Sequence, residues 1–559
     1  MKLPPNAETG SAQSPALSVQ ATNSHAPHEL SRRLRWNAAS GMFRFAVLTL
    51  VYFVTYPYML HKLGSERFAM WALALVISQS LGTQDLGLAG ALMKFVPEHW
   101  SNKDFDRICQ LVSTTTLVLG SIGIVLGLGV LVMRNWLAGF LRIPPQFRNE
   151  MAWLLAGMGG VFLLNLLCSG LSAVLIGIQR MDASNLAYVM SAVIQGAGVF
   201  WVLSHGYGLL GLLANTALMS LLWGTSTWVL LHRYLPGFRF QLSAGWRRDA
   251  ACLTGYGLNI QAASMGSLLT IPPIKVFLSR YVSLSSVSFF ELASGMAMQL
   301  RSGFLMAAMP LTSASAQLRS EGADDRVARL YQQSFRYLFF GALPVFSCAA
   351  ALAPGFINSW LGRNTPYVAA TLGLLLVGWF LNLLSVAAFF MLQGQGFARF
   401  QMYSTALQAV CSIVLGYILV RIGGYYGAVS GLAAALTIAA VYLLWWYPRL
   451  CGGSSNNLLD GSLVKAFVIN GLLFAVFLAK PELRQVSHLP GLVVLASVYL
   501  SVYFLLITVF GCLAEGEREL LALAWPPNAV RWLVRKVRFR GTDRKTQLPS
   551  LLDKPTHDF

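Results

Sequence analysis

Five charged side chains stand well inside long apolar runs of the sequence, away from their ends: Arg44, Asp85, Lys275, Glu291 and Arg301. An ionised group at mid-membrane costs about 2.5–3.5 kcal/mol on insertion scales, so each needs a partner, a wet cavity or a route to the interface. Arg44 and Asp85 sit at similar depth in the first two apolar runs and are suited to pair; otherwise Arg44 snorkels outward and Asp85 bonds nearby backbone. Lys275 and Glu291 offer a second pair across neighbouring segments, one able to break during gating. Arg301 lies ten residues beyond Glu291, about 15 Å along a helix, so the two cannot meet directly. A guanidinium at that depth matches phosphate oxygens in bidentate geometry, which points to an anionic ligand in a wet cavity. The structural alternative is a bond to carbonyls of a broken helix near Gly295 and Gly303. Trp71, Trp223, Trp379 and Tyr403 are aromatic groups of the kind that stack on sugars, although most such residues pack against lipid or other helices.

These groups imply a scaffold that crosses a membrane. The chain has 559 residues, 56% hydrophobic and 11% charged, with mean hydropathy +0.58. A soluble domain carries about 25% charged residues to coat itself against water. The apolar runs recur at about 20 residues, the length of a helix across ~30 Å of hydrocarbon. Lipid offers backbone groups no partner outside a helix or closed barrel. We place spans at 39–60, 68–92, 109–133, 151–176, 184–204, 208–231, 254–279, 287–313, 333–358, 366–393, 401–420, 425–447, 463–479 and 490–513. The expected fold is an all-α polytopic membrane protein of about 14 transmembrane helices.

The net charge of +19 is read through its distribution over the loops rather than as a nucleic-acid signal. Arg32/Arg33/Arg35, Arg233 through Arg248, and Arg319/Arg326/Arg329/Arg336 fall on one side of the predicted spans, which sets both termini in the cytoplasm. Residues 1–36 read as a disordered cytoplasmic N-terminus without a cleavable signal, the first span serving as an uncleaved anchor. The 514–559 tail interleaves Arg531, Arg535, Lys536, Arg538 and Arg540 with Trp532, Leu533, Val537 and Phe539. It is suited either to lie on an anionic leaflet or to remain a solvated tail. The seven cysteines lack CxxC spacing and the eight histidines lack paired helical spacing, so no metal site is expected. No GxxxxGK[ST] phosphate loop is present, and no cofactor is expected.

A weak duplication runs through the chain. Asp106-Arg107 and Asp325-Arg326 follow the second and eighth spans. Gly206-Tyr207-Gly208 and Gly424-Tyr425-Tyr426-Gly427 precede the sixth and twelfth, and Pro57 is matched by Pro272-Pro273. A repeat of six helices keeps the same orientation, which predicts two lobes related by a pseudo-twofold along the membrane normal. The expected divisions are 37–235 for the N-lobe, 236–252 for a cytoplasmic linker, 253–450 for the C-lobe and 460–513 for two further helices.

The segment Thr83-Gln84-Asp85-Leu86-Gly87-Leu88-Ala89-Gly90-Ala91-Leu92, after Leu63-Gly64 and Trp71, resembles the second-helix region of bacterial polysaccharide flippases. So do Phe290-Glu291-Leu292-Ala293, Gln299-Leu300-Arg301, Pro310, Asp325 through Gln333, and Gln393-Gly394-Gln395-Gly396. The resemblance covers about residues 37–447. It departs from the common pattern in having Phe289-Phe290 where a Tyr often precedes the Glu. These flippases move O-antigen and exopolysaccharide repeat units and belong to the multidrug/oligosaccharidyl-lipid/polysaccharide exporter superfamily. The resemblance implies a V-shaped pair of six-helix lobes in a bacterial inner membrane. It also implies an undecaprenyl-diphosphate-linked oligosaccharide as substrate, with membrane lipids and polysaccharide assembly proteins as partners and no nucleic acid. Arg301, Arg44 and Lys275 are the expected substrate-binding cations; Asp85 and Glu291 are the expected ion-pair or coupling residues.

Three other functions compete. A lipid II flippase of the same superfamily also has a basic cavity. A cation-coupled drug exporter needs free intramembrane carboxylates, and here both acids have basic neighbours in reach. A polysaccharide polymerase or ligase needs a catalytic outer loop, yet the loop at 134–150 offers Arg134, Arg142 and Arg148 with Glu150 as its one acid. A transporter rather than an enzyme is expected.

Overall fold

The computed structural model describes residues 26–82, 87–235, 237–362, 365–450, 460–480, 482, 486 and 488–513. Asp85 and the basic tail therefore lie outside the described residues. The described chain is helical, without a strand among those residues. Among the described residues, ten helices are long and apolar enough to cross a membrane by length and composition.

The first half begins with α1 (Ala26–Gly82), α2 (Leu88–Ser101), α3 (Phe105–Phe140) and α4 (Arg148–Gly177), and continues with α5 (Met181–Ser204) and α6 (Gly208–Tyr234). The second comprises α7 (Trp246–Leu268), α8 (Pro272–Tyr281), α9 (Leu284–Ala308), α10 (Leu311–Ser320), α11 (Asp324–Leu361), α12 (Pro366–Leu384), α13 (Val386–Gly394) and α14 (Ala398–Leu450). Two more helices follow, α15 (Gly461–Ala479) and α16 (Leu489–Val509). Two of the long helices are each broken by a glycine: Gly64 in α1 at φ 77° and Gly424 in α14 at φ 56°. Those dihedrals are closed to most side chains, so the glycines are where the chain doubles back. α7, α8 and α9 do not count among the ten apolar helices. Pro272 and Pro273 break the first two apart, while Glu291, Gln299 and Arg301 make α9 polar.

Helix starts are locally encoded. Asp104 caps α3 by accepting from Arg107 N at 3.1 Å, and Ser283 caps α9 by accepting from Ser286 N at 3.2 Å. Proline stands in the first turn of α8, α12 and α16, where its missing N–H leaves no bond unmade.

The order of elements repeats. α3 packs on α4 as α11 packs on α12, α1 on α4 as α9 on α12, and α1 on α5 as α7 and α8 on α14. One core joins the halves, running from Met59–Ala74 of α1 through α4, α9, α11, α12 and α14. A second fills the first half around Leu88, Leu119, Phe162 and Leu231. A third holds α15 and α16 on α11 through Cys348, Phe477 and Tyr499. There Tyr499 donates to Asn470 Oδ1 at 3.1 Å, and Asn470 Nδ2 donates to Ser347 Oγ at 2.8 Å.

Candidate functional site

α9 positions most of the candidate chemistry. Its N-terminal half carries Glu291, which forms an ion pair with Lys275 in the first turns of α8. Only 8% of the Lys275 side chain and 12% of that of Glu291 are exposed, so the two charges compensate each other away from solvent. The break before Pro272 sets this geometry, because it starts a new helix whose next turn turns Lys275 toward α9. Lys275 is thus matched rather than free.

Further along α9, Arg301 Nη2 donates to Asn382 Oδ1 of α12 at 3.1 Å, and the guanidinium lies 4.6 Å from the ring centre of Trp379. Its Nε is buried without a hydrogen-bond partner, and among the described residues it makes no ion pair. A cation–π contact and one amide bond offset part of its desolvation but bring no countercharge. Asn382 continues inward: its Nδ2 donates to Gln408 Oε1 at 3.3 Å, and Gln408 Nε2 donates to Thr270 Oγ1 at 2.9 Å. Ser412 Oγ donates to the Thr270 carbonyl at 2.5 Å. A polar chain thereby joins Arg301 to the break between α7 and α8. Gly295 serves close packing against Tyr52, and the side-chain amide of Asn382 stands where a broken-helix carbonyl was one expectation for Arg301.

Arg44 lies apart from these groups. Its Nη1 donates to Asn185 Oδ1 at 3.1 Å, and the guanidinium sits 4.0 Å over Tyr188, both on α5. Tyr188 meets Trp223 edge-on at 5.1 Å. Asn185 and Ser40 also line a groove of about 980 Å³ between α1, α5 and α6, with Asp182 and Arg233 at its wall. A second groove, of about 480 Å³ and lined almost wholly by apolar groups, runs between α1, α9, α11, α12 and α16. Among the described residues its polar side chains are Thr49 and Gln299, and Thr49 Oγ1 donates to Gln299 Oε1 at 3.3 Å. The structure does not bring Arg44, Lys275 and Arg301 into mutual contact; each has its own partners. Of the aromatics, Trp379 supports Arg301 and Trp223 supports the Arg44 shell, whereas Trp71 is buried and Tyr403 exposed.

Sequence reasoning missed Asn185, Asn382 and Gln408, and quoted Gln299 for the resemblance alone. Each is an amide inside an apolar run, and that was the available signal, because a buried amide is kept only where it has a partner. It also missed the clamp on the linker. Arg107 donates through both terminal nitrogens to Asp249, at 2.9 and 2.7 Å, and Ser243 donates to Asp249 at 2.9 Å. Gln241 N donates to Ser113 Oγ at 2.8 Å. The Arg107 hydrogen bonds hold the Asp249 carboxyl below the usual carboxylate range. Arg326, the repeat counterpart of Arg107, has instead an exposed contact with Glu321 at 3.9 Å. Glu150, the acid of the 134–150 loop, pairs with Arg67 at 3.2 Å. Among the described residues no cluster of three or more His, Cys, Asp or Glu is arranged to hold a metal.

The arrangement of helices is shared with solved transporters. An inward-facing multidrug resistance MATE family transporter of the MOP superfamily superposes with a TM-score of 0.65 over 74% of this chain and 98% of its own, at 14% identity. The lipid II flippase MurJ, in an inward closed conformation, superposes at 0.60 over 85% and 98%, at 13% identity. The chain has the fold of the MOP superfamily. MOP denotes the multidrug/oligosaccharidyl-lipid/polysaccharide exporter superfamily to which the polysaccharide flippases belong. A further MOP structure, from Pyrococcus furiosus and described as having a reversed polarity of its binding pocket, superposes at 0.54 over 75% and 95%, at 15% identity. In sequence the chain is 22% identical to a Shigella flexneri protein named "Putative O-antigen transporter", over 75% of this chain and 99% of that one. No family model matches. The resemblance to the flippases thus rests on a relative along most of the chain as well as on motifs, and the chain combines the fold of the solved MOP transporters with the apolar helices of a multi-pass membrane protein.

Proposed function

We propose that this chain flips an undecaprenyl-diphosphate-linked oligosaccharide from the cytoplasmic to the outer leaflet of a bacterial inner membrane, for O-antigen or exopolysaccharide assembly. The observation that carries the reading is Arg301. It is a half-buried guanidinium on α9 with an amide and an indole for company, a buried Nε without a hydrogen-bond partner, and no ion pair among the described residues. Such a group is poised for an anion, and a diphosphate presents the oxygens its fork recognises. Arg44, and Lys275 once released from Glu291, extend the cationic lining. Two lobes with both termini cytoplasmic alternate access, while the sugars occupy the wet space and the polyprenyl tail stays in lipid. Polysaccharide assembly proteins would receive the product. The drug-exporter reading is weaker because Glu291 is already committed to Lys275, leaving no carboxylate free for a cationic drug on this stretch of α9. The relative named as an O-antigen transporter supports the same substrate class.

The test is Arg301→Ala and Arg301→Lys in cells lacking their own transporter, with lipid-linked oligosaccharide counted in the outer leaflet and membrane protein level measured in parallel. Loss with Ala and partial return with Lys is expected at normal protein level. Normal transport by both variants would leave Arg301 a structural residue and refute the diphosphate clamp.

A further inference from the structure

Pro57 stands inside α1, 215 residues before its repeat counterpart Pro272. A proline has no N–H, so the carbonyl four residues earlier, that of Phe53, loses its intrahelical donor. In an apolar interior that carbonyl needs another donor. It gets one from the other half of the molecule: Trp360 Nε1 of α11 donates to Phe53 O at 2.6 Å. The indole also packs against Phe53 and Tyr52 of α1, with ring centres 5.6 and 6.1 Å apart. Beside it the Tyr52 hydroxyl donates to the Leu292 carbonyl of α9 at 3.1 Å.

Two features suit this contact to breaking and re-forming. The acceptor belongs to no helical ladder, so releasing it leaves the hydrogen bonds of α1 as they are. The donor is the second-last residue of α11, next to the chain reversal at Gly362, where φ is 62°. A short tilt of one helix end separates donor and acceptor without unwinding either helix. Around the same end, further links join the halves: Ser65 Oγ to Ser285 Oγ at 3.2 Å, Ser279 Oγ to Leu141 O at 2.6 Å, and Arg280 Nη1 to Phe140 O at 2.7 Å. All are made to hydroxyls or to carbonyls at a helix end, so none strands a buried charge when it opens.

We propose that the Phe53 carbonyl uncovered by Pro57 and the indole of Trp360 form a releasable latch that holds the two halves closed at the Gly64 end. This rests on the alternating-access reading above, in which that end faces outward and must open once per cycle. Proline here does more than kink a helix, since it creates the acceptor that the opposite lobe grasps.

The experiment uses the full chain in lipid nanodiscs, with spin labels on cysteines at Lys62 and Ile422, both exposed, in a background lacking the native cysteines. Pulsed electron resonance reads the distance between the halves. Trp360→Phe keeps the ring and removes the donor; Pro57→Ala gives Phe53 O a donor from its own helix. Each variant is expected to raise the ratio of long to short distance by roughly 2- to 12-fold, the range of one net hydrogen bond. The double variant is expected to match the larger single effect, because both changes remove the same bond. A two-distance distribution that Trp360→Phe leaves unmoved would overturn the latch and leave alternating access standing, as would full additivity in the double variant. A single distance in the parent and in both variants would remove the rocking motion and the latch with it. Should Pro57→Ala distort α1, Trp360→Phe decides alone.

Discussion

Replacing Lys275 by Met strands Glu291 at a site where only 12% of its side chain is exposed. Breaking one side of a buried pair typically costs about 3–5 kcal/mol, because the remaining charge keeps its desolvation penalty without its partner. The loss has a ceiling, since a stranded carboxylate can take up a proton. Neutralising an ordinary glutamate at pH 7 costs about 3.7 kcal/mol, and the corresponding figure for stripping a lysine is about 4.6 kcal/mol. We therefore expect Lys275→Met to lose about 3–4 kcal/mol and Glu291→Gln about 3–5 kcal/mol. The double variant Lys275→Met/Glu291→Leu removes both charges and is expected to lie within about 1–2 kcal/mol of the parent, giving a coupling energy of several kcal/mol. Unfolding free energy in mixed micelles, measured for the four proteins of the cycle, decides. If the double variant loses as much as the two singles together, the two charges do not compensate each other and the account of this pair is wrong.

Asn382→Asp sets a carboxylate beside Arg301, 3.1 Å from its guanidinium in the parent, and should abolish transport of an anionic substrate while the protein inserts normally. Transport at the parent rate, counted in the outer leaflet, would show that Arg301 needs no free charge. At the linker, the carboxyl of Asp249 is held below its ordinary range by Arg107, so its contribution to docking is complete above the ordinary carboxylate value. That contribution is lost as pH falls toward the depressed folded value; limited proteolysis between residues 237 and 245 should accelerate in acid, and Asp249→Asn should remove the pH dependence. Gly87 has φ 68°, and a Cβ there would collide with the Gly257 carbonyl oxygen of α7, so Gly87→Ala should cost about 2–4 kcal/mol in the same unfolding assay. An unchanged stability would mean that α2 and α7 do not approach as closely as described.

Much of the architecture was legible because lipid imposes it. Apolar runs of spanning length must be helices, and the turns between them are marked by Gly64 and Gly424, whose dihedrals few other residues adopt. The duplication could be read from Asp106-Arg107 and Asp325-Arg326 and from the paired glycine landmarks, and the packing order of the two halves repeats. Two things were not legible. The runs placed as single spans at 287–313 and 366–393 are divided, the first between α9 and α10 and the second between α12 and α13. Arg107 and Arg326 occupy equivalent positions, yet one clamps the linker through Asp249 and the other has an exposed contact at 3.9 Å.

Composition and periodicity alone determined that the chain is a helical membrane protein, which charged residues stand inside its apolar runs, and that Arg301 lies too far from Glu291 to be neutralised by it. Those conclusions need only the rise of a helix and the cost of desolvation, which act along a single segment. Partners were decided by the tertiary structure, because side chains from distant helices meet according to crossing angles and rotation that no local pattern records. Thus Arg44 found Asn185 and Tyr188 on α5, Arg301 found Asn382 and Trp379 on α12, and the carbonyl that Pro57 left open found Trp360, 307 residues along the chain.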